Sequence, residues 1–159
     1  MSSRPLPPAA RALAAAIPAP VAAARAADAA AFAAASEHLA SLDPARAGLL
    51  LGGMVRSVLE ERHPDGLATE DLQTAVEESV RSAVRWFPAP DPGVLVVLLT
   101  SAFGVHDAGE ETTRPTPLDV ARHAPLLLAH LLDGAPRPFA GYLAGTLAEI
   151  QRAETVEMP

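Results

Sequence analysis

His123 and His130 are the two residues whose type and spacing come nearest to a chemical site. They are seven residues apart, so a helix places both imidazoles on one side, about 10 Å apart along its axis. Asp119 lies one turn before His123, and two ligands at this i,i+4 spacing can share one metal ion. A metal site needs a third ligand, which the sequence does not supply, and Asp119 already suits a helix cap. We therefore predict no metal and no other cofactor.

The common catalytic motifs do not occur in this sequence. It has no cysteine, which excludes a thiolate nucleophile, a thiolate metal site and a disulfide. A P-loop, a dinucleotide-binding glycine fingerprint, H-E-x-x-H and G-x-S-x-G are also absent. His38, His63 and His106 lie at the ends of predicted helices, where a partly charged imidazole interacts favourably with the helix dipole. A catalytic function could be argued only from His123 and His130, so a non-catalytic protein is the better prediction.

Aromatic residues and a proline suggest where a ligand could bind. Trp86 and Phe87 form the densest aromatic feature, which is more often part of a core than a ligand platform. Pro125 follows His123 by two residues and must kink its helix or start a new one, because it lacks an N–H and clashes with the preceding turn. One hypothesis is therefore a helical small-molecule-binding protein, with a pocket near Pro125 lined by His123, His130 and Trp86.

Glycines inside predicted helices suggest a different function. Gly52 and Gly53 each cost about 1 kcal/mol relative to alanine, so something must offset them. Close packing of another helix is favoured over a kink or a bound ligand. Gly141 and Gly145 have the spacing that allows two helices to approach closely. The preferred hypothesis is therefore a non-catalytic interaction or regulatory module that forms a homodimer, with Gly141 and Gly145 at the interface.

Prolines divide the chain into segments of helical length. Proline is favoured in the first helical turn, and Asp or Thr just before it can cap the free N–H groups. Aspartate or threonine precedes proline at Pro44, Pro92 and Pro117. These signals, with Thr69 and the apolar periodicity, predict helices over about 20–42, 44–62, 69–87, 93–105, 116–132 and 138–155.

These helices predict an all-α, single-domain bundle of five or six helices. The run Val94–Phe103 is apolar on every side, so we expect it to form a short buried central helix, with Leu98→Ala among the most damaging substitutions. Residues 1–19 are rich in proline and alanine and are expected to form a flexible arm, with at most a short helix over about 9–16, that folding does not need. The bundle then spans 20–157, with a polar loop over 106–115. The inward face of the third helix is expected to be Leu72, Val76, Val80, Ala83, Val84 and Phe87.

Composition restricts the partners of the chain. Its 159 residues carry a net charge of −7, which argues against nucleic-acid binding because binding depends on neutralising phosphates. The longest apolar run is too short to cross a bilayer, so no membrane association is expected. The N-terminal segment has arginines but is interrupted by prolines, unlike a targeting peptide. We expect a soluble, acidic, cytoplasmic protein.

Overall fold

Every regular element in the described part of the chain is a helix, which confirms the all-α class. The computed structural model describes residues 6–104 and 114–157. Residues 1–5 of the expected arm and most of the expected loop 106–115 lie outside this part. The described helices are α1 (Pro8–Ala16), α2 (Pro18–Arg25), α3 (Ala29–Ala40), α4 (Pro44–Arg62), α5 (Thr69–Ala83), α6 (Pro92–Ala102), α7 (Pro117–Leu132) and α8 (Phe139–Glu157).

The predicted caps form at the proline-marked helix starts. The Asp43 carboxylate accepts hydrogen bonds from the first turn of α4, and Asp91 accepts one from the N–H of Gly93 in α6. At α7 the Thr116 hydroxyl accepts from the Asp119 N–H at 3.0 Å, while the Asp119 carboxylate accepts from the Thr116 N–H at 3.0 Å. Because both partners of this capping box are satisfied, the start of α7 is well defined.

The N-terminal segment differs from the loose arm expected for residues 1–19. Residues Pro8–Ala16 form α1, and the backbone of Ile17 remains helical between α1 and α2. Leu13 and Ile17 are both essentially fully buried and belong to the main apolar cluster. The prolines lie at the first turns of α1 and α2, where they favour helix formation rather than preventing it.

The helix expected over 20–42 is two helices, because the chain reverses at Ala27. The backbone of Ala27 is left-handed, with φ of 54°. The Asp28 N–H donates to the Ala23 carbonyl at 3.0 Å, and the Ala27 N–H donates to the Ala24 carbonyl at 3.1 Å. These two bonds form a Schellman motif, which normally has glycine at the left-handed position. Asp28 then caps α3 by accepting from the Ala31 N–H.

The centre of the bundle is α7, which corrects the expectation that the helix over Val94–Phe103 is central. Helix α7 packs against α2, α3, α4, α5 and α6 and continues through Pro125. Helix α6 buries only Leu95 and Leu99, whereas Val96 is 48% exposed and Leu98 is half-buried. A helix that is apolar on every side is therefore placed at the margin, with one face against the core.

Two further expectations about packing have clear outcomes. A Cβ added at Gly53 would lie 2.6 Å from the Thr146 Cγ2, so α8 packs directly against the bare backbone of α4. This close contact is the packing that the Gly52-Gly53 pair predicts.

On α5, Leu72, Val76 and Val80 pack against the core. Val84 does not, because it lies just beyond the end of α5 and is 57% exposed.

Because the backbone of Ala27 is left-handed, two alanine-to-glycine substitutions should change the stability of the chain in opposite directions. Ala27→Gly should stabilise the chain by about 0.5–1 kcal/mol, because glycine adopts a positive φ without the steric cost of a Cβ. Ala30→Gly, at an exposed position in α3, should destabilise it by about 1 kcal/mol. Urea denaturation measures both changes. Destabilisation by Ala27→Gly of the same size as by Ala30→Gly would show that the helix continues through Ala27.

Candidate functional site

The C-terminal end of α2, the second half of α5 with the residues after it, and the second half of α7 surround a cleft of about 630 Å³. The reversal at Ala27 places the end of α2 at this cleft, and Trp86 follows α5 by three residues. The residues that line the cleft are Ala24, Arg25, Ala27, Ser79, Ser82, Ala83, Arg85, Trp86, Leu126, Ala129, His130 and Asp133. Its walls therefore combine apolar, aromatic and charged groups.

Trp86 is both a core residue and a wall of the cleft. Its ring lies edge-on to Phe32 and to Phe87, with centroid distances of 5.1 and 6.0 Å. These aromatic residues, with Leu126 and Ala83, form a second apolar cluster beside the main one. The indole is half-buried and borders the cleft. Trp86 therefore packs against the core and also borders the cleft, so neither alternative for this residue excludes the other.

His130 also borders this cleft, and its imidazole contacts a carboxylate on α5. Its Nε2 lies 2.9 Å from the Glu78 Oε2, and the imidazole is 19% exposed. Since the carboxylate can only accept, Nε2 carries the proton in this contact. The contact holds the imidazole at the side of the cleft and engages the Glu78 carboxylate. Of the three predicted ligand-binding residues, the structure brings His130 and Trp86 together.

His123 lies apart from the cleft and connects two parts of the backbone. It is buried, its Nδ1 lies 2.8 Å from the Asp119 carbonyl, and its Nε2 lies 2.9 Å from the Asp91 N. Because the Asp91 N–H must donate, Nε2 is the acceptor and Nδ1–H donates to the carbonyl. Both ring nitrogens are thus occupied in the neutral imidazole. His123 joins the start of α6 to α7 and has no free nitrogen for a ligand.

The structure offers no cluster of metal ligands among residues 6–104 and 114–157. The Asp119 carboxylate is used in the capping box, and the hydrogen bond from the Thr116 backbone lowers its pKa. Its backbone carbonyl is occupied by His123. The pair of residues that has metal-ligand spacing in the sequence is therefore fully used in holding α7.

Ser79 is a residue of the cleft that sequence reasoning missed. It is 2% exposed, and its hydroxyl has no hydrogen-bond partner among the described residues. A buried hydroxyl without a partner costs about 1–3 kcal/mol. A serine within an amphipathic helix gives no sequence signal, since it is common on either face. Arg25 and Arg85 likewise carry no sequence signal that marks them as residues of a cleft.

The predicted interface glycines, Gly141 and Gly145, lie beside a side chain of their own chain. The Arg137 Nη1 would lie 3.9 Å from a Cβ added at either glycine. Arg137 also lies over the Tyr142 ring at 4.5 Å and contacts both carboxylate oxygens of Glu61, at 2.8 and 3.0 Å. This cluster connects α4 to α8. A role for the two glycines in a dimer stays a prediction.

Glu61 responds electrostatically to this cluster. The Tyr142 hydroxyl, followed by the Arg137 guanidinium, lowers the pKa of the Glu61 carboxyl. The Tyr142 hydroxyl is buried, and no described residue lies in full hydrogen-bond geometry with it. The arrangement stabilises the ionised carboxylate and serves packing between α4 and α8 rather than a ligand.

A second, larger groove of about 740 Å³ lies between α4, α6 and α7, and Glu149 of α8 also borders it. Small residues form much of its floor, including Gly48, Gly52 and Ala102. Leu49 borders it and is 64% exposed, which makes it the most exposed large apolar side chain among the described residues. An apolar side chain at the rim of a groove floored by small residues is typical of a surface that packs against another helix.

No protein-family model, no curated protein and no solved structure matches this chain. Within the described ranges, no helix combines the length and the apolar character that crossing a bilayer requires.

The double role of the His123 ring predicts a large effect of its removal. His123→Ala leaves the Asp91 N–H without its partner, removes the second donor to the Asp119 carbonyl and opens a cavity, so we expect a loss of about 2–4 kcal/mol in the free energy of unfolding. His38→Ala is the control, because His38 is exposed and its change should stay within about 0.5 kcal/mol. Denaturant unfolding measures both. Equal, small effects of the two substitutions would contradict the role given to His123.

Proposed function

We propose that this chain is a helical small-molecule-binding protein and that its binding site is the cleft between α2, α5 and α7. The observation that carries the proposal is the position of the Ser79 hydroxyl. Four buried hydroxyls have no hydrogen-bond partner among the described residues, those of Ser36, Ser79, Tyr142 and Thr146, and Ser79 is the one of them that borders the cleft. Buried polar groups in folded proteins nearly always have a partner, so each exception calls for one. A polar atom of a bound molecule would supply it.

The composition of the cleft supports this proposal. Its volume lies within the range of about 300–1,000 Å³ that small-molecule sites occupy. The Trp86 indole and the Leu126 side chain offer apolar surface, while Ser79 and His130 add polar atoms at defined positions. Leu126 and His130 belong to the turns that follow Pro125, and the sequence-based hypothesis of a pocket near this proline concerns the same part of α7. His123 does not line the cleft, and its ring nitrogens bond to backbone groups instead.

A homodimeric interaction module is the second candidate. It is supported by the groove between α4, α6 and α7, where Leu49 is exposed beside small residues. Symmetric pairing of two copies is the commonest way to bury such a surface between chains. This candidate ranks below ligand binding because the two glycines expected at the interface already contact Arg137 within the chain.

Ligand binding is tested with Trp86, because it is the single tryptophan of the chain and borders the cleft. We expect compounds from a library of small organic fragments to change its fluorescence emission in a saturable way. Ser79→Ala should weaken the binding of those compounds about tenfold, the effect of one lost hydrogen bond of about 1.4 kcal/mol.

Ser36→Ala is the matched control for Ser79→Ala. The Ser36 hydroxyl is also buried and without a partner among the described residues, but it does not border the cleft. Both substitutions should be neutral or slightly stabilising, since each removes an unsatisfied polar group. Only Ser79→Ala should affect binding. A library without any saturable change in Trp86 emission, or equal binding by both variants, would overturn the proposal.

A further inference from the structure

Two arginines border the cleft without a counter-charge. Arg25 lies in the last turn of α2, and Arg85 follows α5 by two residues. Both are exposed, and neither forms an ion pair with any described residue. Three other arginines, Arg46, Arg56 and Arg137, do form such pairs. The two guanidinium groups at the cleft are therefore free of ion pairs with described residues, as are those of other described arginines such as Arg81 and Arg122.

The acidic groups near the cleft leave both guanidinium groups free to bind a ligand. Asp133 is the one carboxylate among the residues that line it. Glu78, on α5, accepts a hydrogen bond from the His130 Nε2, which holds its carboxylate at the imidazole and leaves its negative charge in place. Neither carboxylate forms an ion pair with Arg25 or Arg85. An anion would therefore bind through direct contact with the unpaired guanidinium groups rather than through an excess of positive charge.

The remaining groups indicate what the anion carries. A guanidinium binds a carboxylate through two parallel N–H donors, and the Ser79 hydroxyl can donate one more hydrogen bond. The Trp86 indole and the Leu126 side chain form the apolar part of the wall. Aromatic rings pack well against an indole, in edge-to-face or offset geometry. The cleft thus places anion-binding donors beside a surface for a flat apolar group.

We propose that the cleft binds an aromatic carboxylate, with Arg25 and Arg85 attracting its carboxylate and Trp86 contacting its ring. This inference rests on the proposed function and names the ligand class of the same site. Arg85 is the stronger candidate for a direct contact, because it is next to Trp86 in the chain and both border the cleft.

Three probes of one shape and different charge test the ligand class. They are biphenyl-4-carboxylate, its neutral carboxamide and the cationic biphenyl-4-methanamine, and titration calorimetry measures the binding of each to the full chain. We expect the carboxylate to bind about tenfold more tightly than the carboxamide, and the amine more weakly than both. The preference for the carboxylate should decline as salt is added, because the arginines are exposed.

Arg85→Gln and Arg81→Gln separate a local contact from the general charge of the chain. Both arginines are exposed and one turn apart, but Arg81 does not border the cleft. Arg85→Gln should reduce the affinity for the carboxylate about fivefold and leave that for the carboxamide unchanged, whereas Arg81→Gln should change neither. Circular dichroism of both variants shows that the helices are retained.

The outcomes distinguish this inference from the proposed function. Equal affinity for the carboxylate and the carboxamide, or an equal effect of the two arginine substitutions, overturns the anionic ligand and leaves the binding cleft in place. Neutral fragments that change Trp86 emission while the carboxylate does not bind have the same consequence. If neither the three probes nor the fragment library binds, both proposals are overturned.

Discussion

The burial of α7 is the constraint on which the rest of the structure depends. This helix packs against α2, α3, α4, α5 and α6, so five helices share it as their common surface. Its buried residues are Ala121, His123, Ala124, Pro125, Leu126, Leu127, Leu128, Leu131 and Leu132. Proline inside a helix removes one hydrogen bond and costs about 3 kcal/mol. Packing on nearly every side of the helix offsets that cost, so α7 continues through Pro125.

The two histidines of α7 show how one helix serves both the fold and the cleft. The seven-residue spacing predicts that they lie on one side of the helix, and both do contact the segment from α5 to the start of α6. His123 meets the Asp91 N–H and fixes the start of α6. His130, about two turns later, meets the Glu78 carboxylate and borders the cleft. The same side of α7 therefore carries a structural imidazole and an imidazole that is available to a site.

Local signals made much of this fold predictable. Proline with a preceding Asp43, Asp91 or Thr116 marks helix starts through chemistry that involves only a few neighbouring residues. The break at Ala27 was not predictable, because a left-handed alanine looks like any other alanine in an alanine-rich run. The central position of α7 is hidden from the sequence for a related reason. Composition favoured the uniformly apolar α6, whereas the position of a helix depends on how many others pack against it.

The candidate site was predictable only in part. Trp86 and His130 stand out by residue type, and the structure brings them to one cleft. His123 stands out equally, but both of its ring nitrogens bond to backbone groups, and one of these, the Asp91 N–H, is distant in sequence. Ser79 becomes distinctive only through a missing partner, which is a property of the folded chain. Residue type therefore identifies candidates, and tertiary contacts decide which of them remain available.

Native-state hydrogen exchange tests the central position of α7 most directly. Amides of a helix that is packed on nearly every side exchange only when the whole domain unfolds. We predict that the slowest amides lie in α7 around Leu127 and Leu128, with exchange free energies equal to the global free energy of unfolding. Amides of α6 should exchange faster, through local opening. The slowest exchange in α6, with local opening of α7, would contradict the assignment of α7 as the centre of the bundle.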